Sequence, residues 1–405
     1  SSSGGNSMKQ RKIACLNKIA PCGLELFGDN YSLTDDLSVA DAWLVRSANL
    51  LEKELPDPLR AIARAGAGVN NIPIQRCSEE GIVVFNTPGA NANAVAELVT
   101  AAMICSARNL VSGINWVRSL EASADIAERI EKGKSSFQGT EVRGKKLGVI
   151  GLGAIGYRVA NDAVGLGMEV YGYDPMITPQ FAWQLSRSVR HVTSLPEMLS
   201  QVDFLSIHVP LKDDTRHMIG KAQIDLMKDG AILLNFARDG LVDEDAVAAA
   251  LASGKLRCYT VDFGNPRNVT FPNTIITPHL GASTEESEDN CAQMAVKQLR
   301  DYLDLGTIEN SVNYPSATLG HMTCATRVVM LHRNVPNVIN RATSLFGAAG
   351  HNIEHMVSSS RGNYSCALFD LAEPMRREFA MQLKEADDIL KIRVIHNDNL
   401  PDPNV

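Results

Sequence analysis

The stretch KKLGVIGLGAIGYRVANDAVGLGMEVYGYD, Lys145 to Asp174, constrains this chain more than any other. Its residue types run in a fixed order. Leu147 to Ile150 is a short apolar run, and Gly151, Gly153 and Gly156 form G-x-G-x-x-G. An apolar-periodic helix follows, and Glu169 to Tyr173 alternates before ending on Asp174. That order fits a strand, glycine turn, helix and second strand. Each glycine has a mechanical reason. The first permits the tight turn, the second lets the backbone approach a pyrophosphate, and the third lets the helix pack on the strand, while the helix N-terminus turns free N–H groups on the anion. A glycine turn that serves only close packing is the competing reading, but it needs no acid at the end of the second strand. Asp174 stands where a carboxylate accepts both ribose hydroxyls of NAD and repels the extra phosphate of NADP. The following segment, PMITPQ, holds no Arg or Lys to pair with that phosphate, so NAD is the expected cofactor.

The chain has 405 residues, enough for two or three domains with their own cores. Its net charge of −7 excludes a basic nucleic-acid-binding surface. The longest mostly apolar stretch, Ala94 to Ala107, is interrupted by Glu97 and Thr100, so neither a membrane span nor a membrane partner is expected, and no signal peptide is visible. Eight cysteines are scattered with no C-x-x-C, which suits reduced thiols and a cytoplasmic setting. The opening SSSGGNS, residues 1–7, reads as an artificial leader ahead of Met8 and is set aside.

From Met8 to about Asn93, short apolar runs (Ile13 to Leu16, Ala42 to Val45, Leu59 to Ala65, Ile82 to Phe85) alternate with turn signals, an α/β pattern. Gly66 and Gly68 fall just past a strand end, where exposed N–H groups hold a small anion or merely make a turn. PGANAN then opens a long helix from Ala94 to Val117 behind an Asn cap, and a polar connection, Glu121 to Gly144, leads into the dinucleotide unit. Further strands are expected at Val202 to Val209, Ala231 to Ala237, Cys258 to Phe263 and Thr274 to Thr277, with a helix at Asp243 to Ser253 among them. This predicts a doubly wound parallel sheet. Ligands bind outside the carboxyl ends of such strands, which singles out His208, Arg238, Asp262 and His279. A helix from Ser283 to Leu305 and a linker at Asn310 to Pro315 follow. From His321 to Asn397 the pattern is βαββαβ, which is ferredoxin-like.

A sheet that binds NAD still needs a proton carrier beside the hydride path and a cation for a substrate carboxylate. A neutral imidazole takes a hydroxyl proton as hydride leaves its carbon, and a guanidinium grips a carboxylate bidentately, roles that suit His279 and Arg238. His351 and His355 stand at H-x-x-x-H spacing, but they flank a strand start rather than share a helix face, so no metal site is expected from them.

NFARDGLVDEDAV around Arg238, ITPHLGAST around His279, FLSIHVPLKDDT around His208 and ARAGAGVNNIP near the start resemble the D-2-hydroxyacid dehydrogenase family. Within it the likeness is strongest to the members that oxidise D-3-phosphoglycerate, and it runs from Met8 to Asn397. The resemblance implies a Rossmann-type NAD domain over 94–282, a split flavodoxin-like substrate domain over 8–93 and 283–313, and a C-terminal ACT domain over 318–397. The site would lie in the cleft between the first two. Arg238 would hold the carboxylate and hydroxyl oxygen of the substrate, and His279 would exchange the proton. Asp262 would bind the nicotinamide amide. Ala154, Ile155, Val209, Pro210, Thr215, Ala237, Gly281 and Ala282 would complete the cofactor site beside the three glycines, Asp174 and His208. Ala67, Gly68 and Asn91 would touch the substrate, while Arg46 and Ser47, with Lys18 second, would hold the phosphate of 3-phosphoglycerate. His332, Asn334 and Asn352 match positions that bind L-serine in relatives, although Asn337 stands where glycine is common. A homodimer or homotetramer is implied.

One departure matters. The family pairs its catalytic histidine with a glutamate about 29 residues after the arginine, and that position here is Arg267. A carboxylate there would orient the ring and stabilise its charged form. Glu285 and Glu286 are the available substitutes. The departure keeps open a dinucleotide-sensing protein without turnover, and among enzymes the alternative is a different hydroxyacid reductase acting on hydroxypyruvate or glyoxylate.

Overall fold

The computed structural model describes residues 10–400; residues 1–7, expected to be an artificial leader, and Met8 lie outside them. The chain divides into two compact units, Asn91–Ser287 and a composite of Ser1–Ala90 with Glu288–Val405.

The composite unit begins with a five-stranded parallel sheet. Its strands are β1 (Arg11–Cys15), β2 (Tyr31–Leu33), β3 (Ala42–Val45), β4 (Ala61–Arg64) and β5 (Val83–Phe85), in the order β2-β1-β3-β4-β5. Every residue of β3 and β5 is buried, as expected of a parallel sheet covered on both faces. The pleat sorts them: Ala42, Leu44, Val83 and Phe85 enter one core, and Trp43, Val45 and Val84 enter another.

Unit Asn91–Ser287 holds a seven-stranded parallel sheet. Its strands are β6 (Lys146–Ile150), β7 (Glu169–Tyr173), β8 (Arg190–His191), β9 (Phe204–Ile207), β10 (Ala231–Asn235), β11 (Leu256–Val261) and β12 (Thr274–Ile276). They lie in the order β12-β11-β10-β9-β6-β7-β8. The doubly wound arrangement is thus as the sequence predicts. Two local differences have physical causes. The expected single helix from Ala94 to Val117 is two, Ala92–Ala107 and Leu110–Ser119, because Asn109 adopts a left-handed φ of 51°. The polar connection after Glu121 also contains a helix, Ile126–Gly133. A Cβ on Gly133 would come within 2.4 Å of the Trp116 ring, so glycine lets this helix dock on its neighbour. No single described helix is long and apolar enough to cross a membrane, and the Ala92–Ala107 and Leu110–Ser119 pair is bent by 64°.

The C-terminal part has β13 (Thr326–Arg333), β14 (Ile353–Arg361), β15 (Tyr364–Leu371) and β16 (Ile389–His396), antiparallel in the order β14-β15-β13-β16. With helices Val338–Ala348 and Arg377–Leu383 this is the ferredoxin-like order. One face packs Val328, Met330, Ala367 and Phe369 on those helices. The other face, Val329, Leu331, Cys366 and Leu368, joins the core of the five-stranded sheet through Leu299, Tyr302 and Tyr314.

Candidate active site

In unit Asn91–Ser287 the strands β6 to β8 extend one way from the β6–β9 pair and β9 to β12 extend the other. That pair is a topological switch point, where doubly wound sheets bind ligands. Beyond its carboxyl edge stand the glycine turn after β6 and His208 after β9. Arg238, Asp262 and His279 follow the next three strands in order.

Packing explains two of the glycines and access explains the third. Gly151 has φ 87°, and a Cβ there would lie 2.2 Å from the His208 carbonyl oxygen. A Cβ on Gly156, where the helix Gly156–Gly165 begins, would lie 1.8 Å from the Gly151 carbonyl oxygen. Gly153 meets nothing within 4 Å, which leaves its backbone open to a pyrophosphate. Ala154 and Ile155, half-buried, complete the turn. The Asp174 carboxylate accepts from the Leu152 and Met176 N–H groups, each at 2.9 Å, and is thereby fixed beside the glycine turn. These residues fit a dinucleotide.

His208 is held differently. Its Nε2 lies 2.7 Å from Ser206 Oγ, and its Nδ1 is buried without a partner. Burial pushes its pKa down to about 4, so the ring is neutral at pH 7. The loop beyond, with Val209 half-buried, is closed by Thr215: its Oγ1 donates to the Pro210 carbonyl at 2.8 Å and accepts from Lys212 N–H at 2.7 Å.

Arg238 is presented by a turn that Asn235 organises. Buried Asn235 accepts from Ala237 N–H at 3.2 Å and donates to the Arg238 carbonyl at 3.0 Å. The Arg238 side chain is exposed, with Nη1 donating to the Ala237 carbonyl at 2.8 Å.

Asp262, 1% exposed, is the hub of the next turn. Its Oδ1 accepts from Thr277 Oγ1 at 2.6 Å and Leu280 N–H at 2.8 Å, and its Oδ2 accepts from Gly281 N–H at 2.9 Å. A Cβ on Gly281 would come within 3.0 Å of that oxygen, so the clamp requires a very small residue. Its carbonyl also accepts from His279 N–H at 3.1 Å. The result is an exposed His279 at the strained φ of 54°, its ring meeting the edge of Phe263 at 5.2 Å. Exposed Ala282 follows the clamp. Asp262 is therefore engaged at both oxygens by the histidine's own loop, a positioning arrangement that strand-end reasoning does not reveal. Thr277 is its unforeseen partner.

Arg267, in the position of the expected glutamate, pairs with Asp245. Among the described residues no carboxylate lies within ion-pair distance of the His279 ring, and Glu285 and Glu286 are exposed at the start of the helix Glu285–Leu305.

In the composite unit, Arg46 pairs with Glu288 at 3.1 Å. Asn17 Oδ1 accepts from Arg46 and Ala48 N–H, which orders the Arg46–Ala48 turn around exposed Ser47; Lys18 is exposed. The Ala67 carbonyl accepts from Asn86 Nδ2 at 2.8 Å. Next to Gly66 and Gly68 lies Arg64, which sequence reasoning missed: Nη1 donates to Asn71 at 2.8 Å and Nε is buried without a partner. A cation immediately before a glycine turn was the available signal. Asn91, in the other unit, is the N-cap of Ala92–Ala107, with no side-chain cap bond. His332 is buried, its Nδ1 2.7 Å from the Arg333 carbonyl and its Nε2 unpartnered; burial lowers its pKa. Asn334 donates to the Gly362 carbonyl, Asn352 N–H donates to Glu373, and Asn337 takes φ 74°, a left-handed conformation that asparagine, like glycine, adopts.

The profile of the D-isomer specific 2-hydroxyacid dehydrogenase NAD-binding domain matches residues 100–281. A D-3-phosphoglycerate dehydrogenase of Haemophilus influenzae is 32% identical over 366 residues, 87% of this chain and 86% of that protein. One of Methanocaldococcus jannaschii is 39% identical over 294 residues, 70% of this chain; the match spans 54% of that protein's length. The solved structure of NAD+-bound 3-phosphoglycerate dehydrogenase from Entamoeba histolytica is 28% identical with a TM-score of 0.56, covering 75% of this chain and 99% of that one. The chain belongs to the D-2-hydroxyacid dehydrogenase family, and its central unit carries that family's NAD-binding domain.

Proposed function

We propose that the protein oxidises D-3-phosphoglycerate to 3-phosphohydroxypyruvate with NAD, the first step of L-serine biosynthesis. NAD, when bound, accepts the hydride that leaves the substrate's C2. Arg238 holds the substrate carboxylate and hydroxyl oxygen, and the His279 imidazole takes the hydroxyl proton as the hydride departs. Asp262 keeps that ring aimed through the Thr277 to Gly281 clamp. In the composite unit we assign the phosphate to Arg46, with Lys18 and Arg64 as further cations, and the carboxylate also to the amides of Ala67 and Gly68.

One observation carries this reading. Arg238, Asp262 and His279 follow three consecutive parallel strands, β10, β11 and β12, on the side of the sheet where the cofactor glycines also stand. The relatives named D-3-phosphoglycerate dehydrogenase supply the substrate class. We further propose that L-serine binds the C-terminal ACT domain around His332, Asn334 and Asn352 and restrains turnover, and that the working form is a homodimer or homotetramer in the cytoplasm. The eight free cysteines support the last point. Titration with millimolar L-serine is expected to release or absorb heat; a flat trace removes serine from the proposal.

The deciding experiment follows NADH absorbance with NAD and D-3-phosphoglycerate, and in reverse with phosphohydroxypyruvate and NADH, for the wild type and His279→Ala. Turnover that the substitution abolishes is the expected result. The absence, among the described residues, of a carboxylate paired with His279 favours one second reading, a nucleotide-sensing protein. NADH binding without turnover in either direction would establish it.

A further inference from the structure

We propose that Cys324, Glu354 and His355 form a binding site for a zinc-class divalent cation at the edge of the C-terminal sheet. Their ligand atoms lie within 4.8 Å of one another. Neighbouring residues on a regular strand point to opposite faces, so Glu354 and His355 would ordinarily be separated. β14 is irregular at that point: Ile353 pairs with Leu371 and His355 with Asp370, the adjacent partner, leaving Glu354 as the extra residue. This bulge turns both side chains toward Cys324, two residues before β13.

The donor set is selective. A thiolate, an imidazole and a carboxylate together suit a borderline-soft ion such as Zn²⁺ rather than Mg²⁺ or Ca²⁺. Bonds of about 2.0–2.3 Å in a tetrahedral shell put ligands roughly 3.3–3.8 Å apart. The Cys324 thiol already donates to Glu354 Oε2 at 3.1 Å, and rotation of the exposed His355 completes the shell, with water as fourth ligand. Binding releases the thiol proton to solvent. Cys324 is 5% exposed, so the soft ligand is fixed by packing while the two exposed residues close over the ion. His351, the other histidine of the H-x-x-x-H spacing, takes no part: it packs on Phe379 and lies 3.9 Å from Glu373. The ion would pin the bulged edge strand to the chain entering β13, which ties the sheet edge to the segment that leads into it.

The test is titration of the full, chelator-treated protein with Co²⁺, a spectroscopic stand-in for zinc. The expected result is one equivalent bound, with a thiolate-to-cobalt charge-transfer band that Zn²⁺ displaces. Cys324→Ser should abolish the band, and His355→Ala and Glu354→Gln should each weaken binding at least about 10-fold. The last two positions are exposed, so these variants test the site even if Cys324→Ser does not fold. Cys15→Ser and Cys22→Ser should leave the band intact. Absence of a band, or a band that persists at full affinity in His355→Ala and Glu354→Gln, overturns the proposal.

Discussion

The ends of β9 and β12 each place a histidine beyond the same parallel sheet, yet they make opposite groups of it. His208 is half-buried, bonded to Ser206, and held neutral by the desolvation of its ring. His279 stands exposed, its ring against Phe263, on a turn that Asp262, Thr277 and Gly281 hold by hydrogen bonds. On the proposed function His279 is the proton carrier, which must reach both substrate and solvent, and His208 is a wall of the nucleotide site, which must stay uncharged. The two turns thus show that strand-end position selects candidates, and the hydrogen bonds behind each ring decide between them.

The sharpest way to break this contrast is to exchange roles. His279→Ala is expected to lower kcat by about 10²–10⁴-fold, the usual worth of a positioned acid–base group, while His208→Gln stays within about 10-fold. Equal losses in steady-state assays would erase the distinction. Asp262→Asn comes next, with a loss of about 10²-fold in kcat and little change in NADH affinity, because it loosens the turn without removing the ring. A large loss of NADH binding instead would move Asp262 to the cofactor. Third is stability against pH. The folded pKa of His208 lies below its unfolded value, so the unfolded chain binds the extra proton between them. Stability is therefore full above about pH 6.5 and falls as the pH drops toward 4, by up to roughly 3 kcal/mol. His208→Gln should flatten that slope in urea titrations between pH 4.5 and 7. The smallest effect belongs to the exposed Arg46–Glu288 pair: Glu288→Gln should change stability by less than about 1 kcal/mol, while Arg46→Ala raises KM for the phosphorylated substrate.

Much of this was legible in the sequence because the relevant signals are local. The βαβ unit from Lys145 to Asp174 is written in periodicity and glycines. The βαββαβ order expected from His321 to Asn397 is found there too, because its strands and helices, β15 at Tyr364–Leu371 among them, are separated by turn signals. Asn109, in contrast, reads as an ordinary helix residue; its left-handed conformation appears only once the second helix must turn to meet Phe137. The strand ends named Asp262, but the sequence says nothing of where its oxygens point, since Thr277 and Gly281 return from a separate strand. The bulge at Glu354 is hidden for the same reason: register is a property of two strands, and a single strand's pattern does not contain it.

The shared core of the composite unit bears on how the chain is made. Ile13, Leu44 and Phe85 near the start of the chain pack in one cluster with Tyr302, Leu331 and Leu368, and Glu79 is bonded by Arg333 and Tyr364. Contacts across so much sequence form slowly, because the intervening loop must close first. The continuous unit Asn91–Ser287 faces no such delay. During synthesis the first parallel sheet therefore waits for the helix Glu285–Leu305, whose Ala292, Val296 and Leu299 join its Ile13, Leu44 and Phe85 in that cluster. A chain stopped after Asn313 would keep that helix on the sheet and leave unfilled the places of Leu331, Cys366 and Leu368 in the cluster.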